Sequence, residues 1–437
     1  MAEYIVTSGS HTVTKDGTPL GGSPYGTDQL ALQAAHDDGA DDDVIKLAQQ
    51  DASTKFQLGA AEQLLMSKAM PVEGIVEAGV KPAIVGGKRA IEFSGVGKNA
   101  SFKDIKMENG SEFGLQVRKS ANVTIDGVEV ETDTAQNRYG DNPNPVFIGV
   151  IVGGSENGSV FDSDVSGNVS VVGVKINTEA GADEEDPYDG DRQLINPAAI
   201  GDGGAWPGAG FENPGAWKAF GISCGYIGGS ARIQDCQVRN QSVHGVTCVD
   251  VKKEVEVRGN RMQSWYGIHN HGSSAGGFGY MIANGIGSPS LTLDASFRKR
   301  NGFWDISENE ITVLGRTNSG GLCFCWEGGC FRPYSVAIHK NVMLAEGSPG
   351  FMGFGGWGMD RGIIVRNTVK GSGAIGIYTG YSTPGIIYGT RNLAILNNDL
   401  SQWAAPYKYF SNPEVQGSHI YPLGVHVNQG TRNVIFG

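Results

Sequence analysis

The chain has 437 residues, of which 67 are glycine, and its formal net charge at neutral pH is −12. The glycines follow no three-residue period, which excludes a collagen helix, and a hydrophobic fraction of 39% excludes a disordered chain. The negative charge predicts no nucleic-acid partner, because binding to a polyanion needs a broad basic surface.

The first residues of the sequence predict no secretory signal peptide of the ordinary kind. Residues 1–7 read MAEYIVT and lack the basic start and the apolar stretch of a signal peptide. No apolar run in the sequence is long enough to cross a bilayer as a helix, so we predict no membrane span. The six cysteines are too few for a fold that is held together by disulfides.

The first predicted elements are a helix and a strand. The stretch from Thr27 to Ala40 begins with a helix-capping residue and is predicted to form a helical cap. The stretch from Asp43 to Leu47 is then the first predicted strand. We therefore expect an N-terminal cap region over 1–40, followed by one repetitive domain over 41–437.

A phrase with a central glycine recurs along the chain. Each copy consists of a bulky residue, a glycine and an aliphatic residue, and a short strand pattern follows it. The copies are Phe113-Gly114-Leu115, Ile148-Gly149-Val150, Phe220-Gly221-Ile222, His244-Gly245-Val246, Tyr266-Gly267-Ile268, Ile375-Gly376-Ile377 and Leu423-Gly424-Val425.

A second phrase follows most of these copies and consists of two aliphatic residues separated by four mostly polar ones. Its copies are Ile125–Val130, Ile233–Val238, Val257–Met262, Ile306–Ile311, Ile338–Met343, Ile364–Val369 and Ile395–Leu400. Neighbouring copies begin 24 residues apart at 233 and 257, and 26 apart at 338 and 364. Repeats of this length predict a solenoid, in which equivalent strands of successive coils lie about 4.8 Å apart.

The fourth position of the second phrase is asparagine in the later copies. These residues are Asn260, Asn309, Asn341, Asn367 and Asn398. Stacked amides can bond to each other and to the turn backbone, which offsets the cost of burying them. We therefore predict an asparagine ladder, and Cys236, which occupies the same position upstream, is predicted to be a core residue.

This combination of phrases and ladder resembles the pectin-lyase-like superfamily, with its generic carbohydrate-binding repeats, over residues 40 to 437. The resemblance implies an all-β fold, a right-handed single-stranded parallel β-helix with an N-terminal capping helix and long loop insertions. We place those insertions at 178–218 and 272–303, where loops are expected to fold over the solenoid wall.

The same resemblance implies an extracellular or cell-surface protein that acts on a polysaccharide as a lyase, a hydrolase or an epimerase. Val243 replaces the first glycine of the family's Gly-His-Gly hydrolase segment, and the Asp-Pro-His-Glu segment of alginate epimerases does not occur. The favoured hypothesis is a lyase for an acidic polysaccharide, with a glycoside hydrolase kept open. The alternative is a non-catalytic surface or filament module that self-associates through the unfinished coil from Leu423 to Gly437.

Alternation within the first phrase assigns its strand residues to two faces. His269 and His271 are predicted to face outward beside Cys323 and Cys325 on the next coil. Two imidazoles and two thiolates suit zinc or another divalent metal such as copper. The open alternatives are half-buried cysteines beside polar groove histidines, or a histidine that acts directly in catalysis.

The inward row of the same phrase brings Cys224 next to Cys248. We interpret both as small buried hydrophobic residues, although their predicted separation also permits a disulfide.

Aromatic residues are predicted to line the same wall and to offer their ring faces to sugars. The candidates for substrate binding are Trp265, Trp304, Trp326 and Trp357. The alternative is that these rings anchor the long loops.

A lyase must neutralise a carboxylate, remove the neighbouring proton and protonate the leaving oxygen. Residues able to do this along the wall are Arg118, His269, His271, Tyr378 and Arg361. The alternative for each of them is a solvated polar residue on the surface.

Overall fold

The structure of the protein is a computed structural model that describes part of the chain. The described residues are 1–51, 53–110, 113–132, 146–153, 164–177, 218–271, 303–313, 320–325, 335–345, 352–356, 361–372, 375–379, 381–383, 386–388, 391–404, 419–420, 425–427 and 432–436.

The described residues form one helix and a long succession of strands. The helix is α1, Asp28–Asp38. The strands of the N-terminal half are β1 (Glu3–Thr7), β2 (Thr12–Lys15), β3 (Thr18–Pro19), β4 (Val44–Ala48), β5 (Phe56–Leu58), β6 (Leu64–Met66), β7 (Val72–Gly74), β8 (Ala83–Gly86), β9 (Arg89–Lys103), β10 (Lys106–Glu108), β11 (Phe113–Asp126), β12 (Glu129–Glu131), β13 (Val146–Val152), β14 (Val169–Val172), β15 (Lys175–Asn177), β16 (Lys218–Ile227), β17 (Ala231–Gln234) and β18 (Gln237–Val251). The strands that follow are β19 (Val255–Arg258), β20 (Arg261–His271), β21 (Phe303–Ser307), β22 (Glu310–Val313), β23 (Gly320–Cys325), β24 (Ser335–His339), β25 (Val342–Ala345), β26 (Met352–Gly356), β27 (Gly362–Val365), β28 (Thr368–Ser372), β29 (Ile375–Thr379), β30 (Tyr381–Thr383), β31 (Ile386–Tyr388), β32 (Arg391–Leu396), β33 (Asp399–Ala404), β34 (His419–Ile420), β35 (Val425–Val427) and β36 (Arg432–Phe436).

Most of these strands pair in parallel and form three ladders, which the chain visits in a fixed order. The first ladder contains β6, the start of β9 and of β11, β13, β16, the end of β18 and of β20, β23, β26, β29 and β35. The second contains β1, β4, β7, the end of β9 and of β11, β14, β17, β19, β21, β24, β27, β32 and β36. The third contains β5, β8, β10, β12, β15, the start of β18 and of β20, β22, β25, β28 and β33. One passage through the three ladders is called a winding below.

The core runs through the inside of this stack, because alternate residues of each strand point to opposite faces. In the first ladder, Val117, Val152, Cys224 and Cys248 pair in register and are all fully buried. The predicted inward row is therefore confirmed over these windings. The two cysteines are core neighbours with free thiols.

The glycine of the first phrase lies within the first ladder, where the residues on both sides of it are paired. A Cβ atom on Gly221 would lie 2.3 Å from the carbonyl oxygen of Gly245, one winding further on. It would also lie 2.3 Å from Cγ1 of Val238 in the third ladder. Glycine recurs here because any side chain would displace either the next winding or the core.

The predicted asparagine ladder is confirmed. Nδ2 of Asn260 donates to Oδ1 of Asn309 at 2.9 Å and to the carbonyl of Ile233 at 3.0 Å. The same pattern continues through Asn341 and Asn367 to Asn398. The backbone N–H of Cys236 donates to Oδ1 of Asn260, and Cys236 is buried as predicted.

A second polar ladder, the turn ladder, lies at the bend between the first and second ladders. The backbone N–H of Asn168 donates to Oδ1 of Asn122, and the N–H of Ser230 donates to Oδ1 of Asn168, both at 2.9 Å. Glycine precedes two of these positions, because a Cβ atom on Gly167 or Gly229 would lie 2.3 Å from the asparagine amide of the preceding winding. Sequence reasoning missed this ladder, although its signal is a polar residue directly before the second-ladder strands β14 and β17 and at the matching position in β11.

The helix predicted near Thr27 is present, and the side chain of Thr27 accepts a hydrogen bond from the backbone N–H of Leu30. The first strand, however, is β1 rather than the predicted Asp43 to Leu47. Because β1 pairs in parallel with β4, strand stacking begins inside the segment expected to be only a cap. The outer edge of β1 is in turn covered by the antiparallel strand β2.

Helix α1 covers the open edges of β5 and β6 with side chains that replace a neighbouring strand. Oδ2 of Asp28 accepts from the backbone N–H of Gln57, and the Gln33 amide bonds both the N–H and the carbonyl of Leu65. These contacts satisfy backbone groups that would otherwise be exposed at the end of the stack.

Within the described residues, no helix is long and apolar enough to traverse a lipid bilayer.

Candidate functional site

The predicted His/Cys patch lies where β20 pairs in parallel with β23 in the first ladder. His269 is the register partner of Cys323, and His271 is the register partner of Cys325. The strand register expected from the repeat is thus confirmed for these four positions. The structure describes their backbone only, and their role as metal ligands stays a prediction.

The register also shows in which rows of the first ladder the four positions fall. Cys248, a core residue, pairs with Asn270, and Asn270 pairs with Phe324. In the register, positions 270 and 324 continue the row of Cys248, and positions 269, 271, 323 and 325 fall in the two rows beside it. Backbone positions there are about 4.8 Å apart between windings and about 6.6 Å apart along each strand.

The outward row that leads to His269 is covered in the earlier windings. In register order it runs through Gln116, Ile151, Ser223 and Thr247. Gln116 is 7%, Ile151 2% and Ser223 0% exposed, so this row is not open to solvent at these three windings. Among the described residues, neither Oε1 of Gln116 nor Oγ of Ser223 has a hydrogen-bond partner.

Arg118, a candidate for neutralising a substrate carboxylate, forms an ion pair with a carboxylate of the chain itself. Its Nε lies 3.4 Å from Oδ2 of Asp164, and both side chains are largely buried. Burial raises the pKa of Asp164, and the positive charge of Arg118 opposes that rise. Asp164 lies outside both repeated phrases, so the repeat contains no signal for this partner.

Trp304 does not line a surface, which corrects its predicted role in substrate binding. It lies in the second ladder in register with Val255 and Val336, and its side chain is fully buried in the core. A ring packed on all sides has no face to offer to a sugar. Trp265 lies in β20, where the structure describes the backbone, whereas Trp326 and Trp357 lie outside the described residues.

Tyr378 and Arg361 lie apart from each other in the stack. Tyr378 belongs to the first ladder, in register with Gly355 and His426. It stands three windings from His269, a distance of about 14 Å along the ladder. Arg361 is exposed and precedes β27 of the second ladder, where its carbonyl accepts from the backbone N–H of Val336.

Cys224, Cys236 and Cys248 are buried in the core. Burial raises the pKa of Cys236 and of Cys248 to about 12, and it raises that of Cys224 well above its ordinary value. A thiol must ionise to bind a metal or to attack an electrophile, so these three act as core residues. Among the described side chains, no group of three or more His, Cys, Asp or Glu residues lies close enough together to hold a metal ion.

The insertions expected at 178–218 and 272–303 fall, apart from Lys218 and Phe303, outside the described residues. Comparison with models of known protein families found no match, and comparisons with curated proteins and with solved structures found none either.

Proposed function

We propose that the stack is a right-handed, single-stranded parallel β-helix of the pectin-lyase-like class. The support is that the chain passes through three parallel ladders in constant order, one strand from each ladder per winding. Connections between parallel strands of one sheet are right-handed in nearly all proteins. The buried asparagine ladder at one turn of the winding is typical of this fold.

We propose that the outward face of the first ladder binds a divalent transition metal, with His269, His271, Cys323 and Cys325 as ligands. The observation that carries this proposal is the in-register pairing of His269 with Cys323 and of His271 with Cys325. Two imidazole nitrogens and two thiolates form a complete tetrahedral set for zinc, and a flatter arrangement would suit copper.

A site with four protein ligands is a structural rather than a catalytic one, because it leaves no open position for water. The two strands that supply the ligands flank the residues 272–302 of the sequence. A bound ion would therefore join two windings that are separated by a long insertion. Its binding free energy would add to the stability of the folded state.

Metal analysis of protein purified without chelator tests this proposal. We expect one ion per chain, and Co²⁺ should give the ultraviolet charge-transfer band of a thiolate-bound cobalt ion. His269→Ala and Cys323→Ala should each abolish the band, whereas His339→Ala should retain it. His339 is a suitable control because it lies on the second ladder and pairs with Asp305. A substoichiometric metal content in the wild-type protein would refute the proposal.

A second candidate is binding and cleavage of an acidic polysaccharide along the same face by an extracellular lyase. The row that contains His269 reaches the position of Tyr378 after three windings and that of His426 after four. This length of about 19 Å suits several sugar units of a polymer. Imidazole and phenol groups along it could remove and return protons during elimination.

A panel of uronate polysaccharides, followed by the ultraviolet absorbance of unsaturated products, tests the lyase proposal. We expect product from at least one polymer and a large loss of rate in Tyr378→Phe. His339→Ala should keep the rate of the wild-type protein. If no polymer of the panel yields product, the lyase proposal is wrong, and the metal proposal is unaffected.

A further inference from the structure

His36 fastens the C-terminal half of α1 to the end of the stack. Its side chain is nearly fully buried, and its Nε2 accepts hydrogen bonds from the backbone N–H groups of Ser67 at 3.0 Å and Lys68 at 3.4 Å. Both N–H groups belong to the segment that follows β6, so the imidazole joins the helix to the first ladder. An acceptor at Nε2 requires that this nitrogen carries no proton.

The other ring nitrogen confirms the tautomer. Nδ1 of His36 lies 3.1 Å from Oδ1 of Asp37, which can only accept a hydrogen bond when it is ionised. Nε2 of Gln33 also lies 3.3 Å from Nδ1, but the two hydrogens of that amide have shorter contacts, with Oδ1 of Asp37 at 2.9 Å and with the carbonyl of Leu65 at 3.1 Å. The neutral ring with its proton on Nδ1 therefore donates to Asp37 and accepts from Ser67. A second proton on the ring would have to reside on Nε2.

Lys68 places a positive charge beside this ring. Its Nζ donates to the carbonyl oxygens of His36 at 2.8 Å, Asp37 at 2.6 Å and Gly39 at 2.6 Å, which caps the C-terminal end of α1. The ammonium group of Lys68 therefore lies at the same end of α1 as the imidazole ring of His36. A charged imidazole there would be repelled by Lys68.

The other elements packed against α1 bring no further charge to His36. Strands β5 and β6 carry no titratable side chain. Tyr4 of β1 and Lys15 of β2 contact Asp38 instead, and His11 pairs with Asp28 at the other end of the helix. Asp37 and Lys68 are therefore the charged groups that decide the response of His36 to pH.

The balance of these effects favours the neutral ring. Burial lowers the pKa of His36, the hydrogen bond to Asp37 raises it, and the charge of Lys68 lowers it further. The unfolded chain therefore binds a proton more readily than the folded chain does. The resulting stabilisation is complete above the ordinary histidine value of about 6.5 and is lost as the pH falls below it.

We propose that His36 is an acid-sensitive latch, whose protonation releases α1 from the edge of the first ladder. A proton on Nε2 would turn this nitrogen into a donor that faces the N–H donor of Ser67. The charged ring would also lie next to the positive charge of Lys68. Release of the helix would expose the edge of β6, where Gln33 now bonds Leu65. An uncovered strand edge is a template for pairing with another chain.

Hydrogen exchange of the full chain at pH 7.5 and pH 5.0, corrected for the intrinsic exchange rates, tests the latch. We expect peptides that cover α1 and residues 62–70 to lose protection at the lower pH, whereas peptides from β17 and β19 keep it. His36→Gln retains an acceptor near the Nε2 position but does not titrate. It should therefore remove the pH dependence of the cap.

Two controls make the result specific to His36. His339→Gln removes an imidazole far from α1 and should respond to pH as the wild-type protein does, while His11→Gln tests the other histidine at the cap. Should His36→Gln fail to fold, the ring nitrogen shifts of histidine-labelled wild-type protein report the same state. Equal pH responses of wild type and His36→Gln, or a doubly protonated His36 ring at pH 7.5, would overturn the proposal.

Discussion

Nδ2 of Asn260 donates to Oδ1 of Asn309, one winding further along, at 2.9 Å, and both residues are fully buried. The same Oδ1 accepts the backbone N–H of Asn260 at 3.0 Å. Nδ2 of Asn309 bonds the carbonyl of Val257 in the preceding winding. One side chain therefore satisfies three polar groups that water does not reach.

Asn309→Ala should consequently destabilise the protein by about 2–4 kcal/mol, because it leaves several buried donors and acceptors unpaired. Asn398→Ala is the matched control, since Asn398 occupies the same ladder but is partly exposed. We expect a smaller effect for it. Denaturant unfolding followed by circular dichroism measures both, and equal losses would contradict a role that depends on burial.

Gly221→Ala should destabilise the protein by about 1–3 kcal/mol through overpacking of the first ladder against the next winding and the third ladder. The new methyl group would meet the carbonyl of Gly245 and the side chain of Val238. Gly21→Ala provides the contrast, because no atom lies within 4 Å of its added Cβ position. Thermal unfolding should show a lower Tm for the first variant and no loss for the second.

Glu129→Gln should weaken the dependence of stability on acid. Glu129 accepts from Lys81 at 3.0 Å and lies 3.3 Å from Lys175. Burial raises its pKa, but the hydrogen bond and charge of Lys81 together with the charge of Lys175 outweigh burial and lower it. Its stabilisation is therefore complete above its ordinary value of about 4.3 and is lost as the pH falls through the lowered folded value.

The measurement for Glu129→Gln is Tm between pH 7 and pH 3.5. The wild-type protein should lose more Tm over this range than the variant does. Glu310→Gln is the control, because its ion pair with Arg261 is mostly exposed and should contribute little. Parallel pH profiles for the wild-type protein and Glu129→Gln would show that the pair does not contribute.

The thiols of Cys224, Cys236 and Cys248 should resist alkylation by iodoacetamide at pH 8 in the folded protein and react fully in denaturant. Burial both shields them and raises their pKa, so the reactive thiolate is scarce. Peptide mass spectrometry distinguishes them from Cys323 and Cys325. Modification of Cys248 under native conditions would contradict its place in the core.

Periodicity explains which features were predictable. The asparagine ladder and the pairing of His269 with Cys323 followed from counting, because identical windings force equivalent residues into register. The burial of Trp304 was also within reach, since it precedes the inward residue Ile306 by two positions and therefore shares its face. Aromatic content alone does not distinguish a ring in the core from one on the surface, whereas strand alternation does.

Features that do not repeat were not predictable in this way. The burial of Gln116 and Ser223 depends on which residues pack against the first ladder at these windings. The repeat does not specify those residues. The partner of Arg118, Asp164, likewise lies outside the repeated phrases. The strand β1 was missed because it occurs once, before the first repeat, and gains its stability from β2 and β4.

The asparagine ladder and the turn ladder run in opposite senses. In the asparagine ladder each winding donates its N–H to the side chain of the following winding, whereas in the turn ladder each winding donates to the side chain of the preceding one. The two overlap where Ser230 and Cys236 belong to the same winding. That winding is a donor to its neighbours on both sides, so an insertion there would break the continuity of the rod in both directions at once.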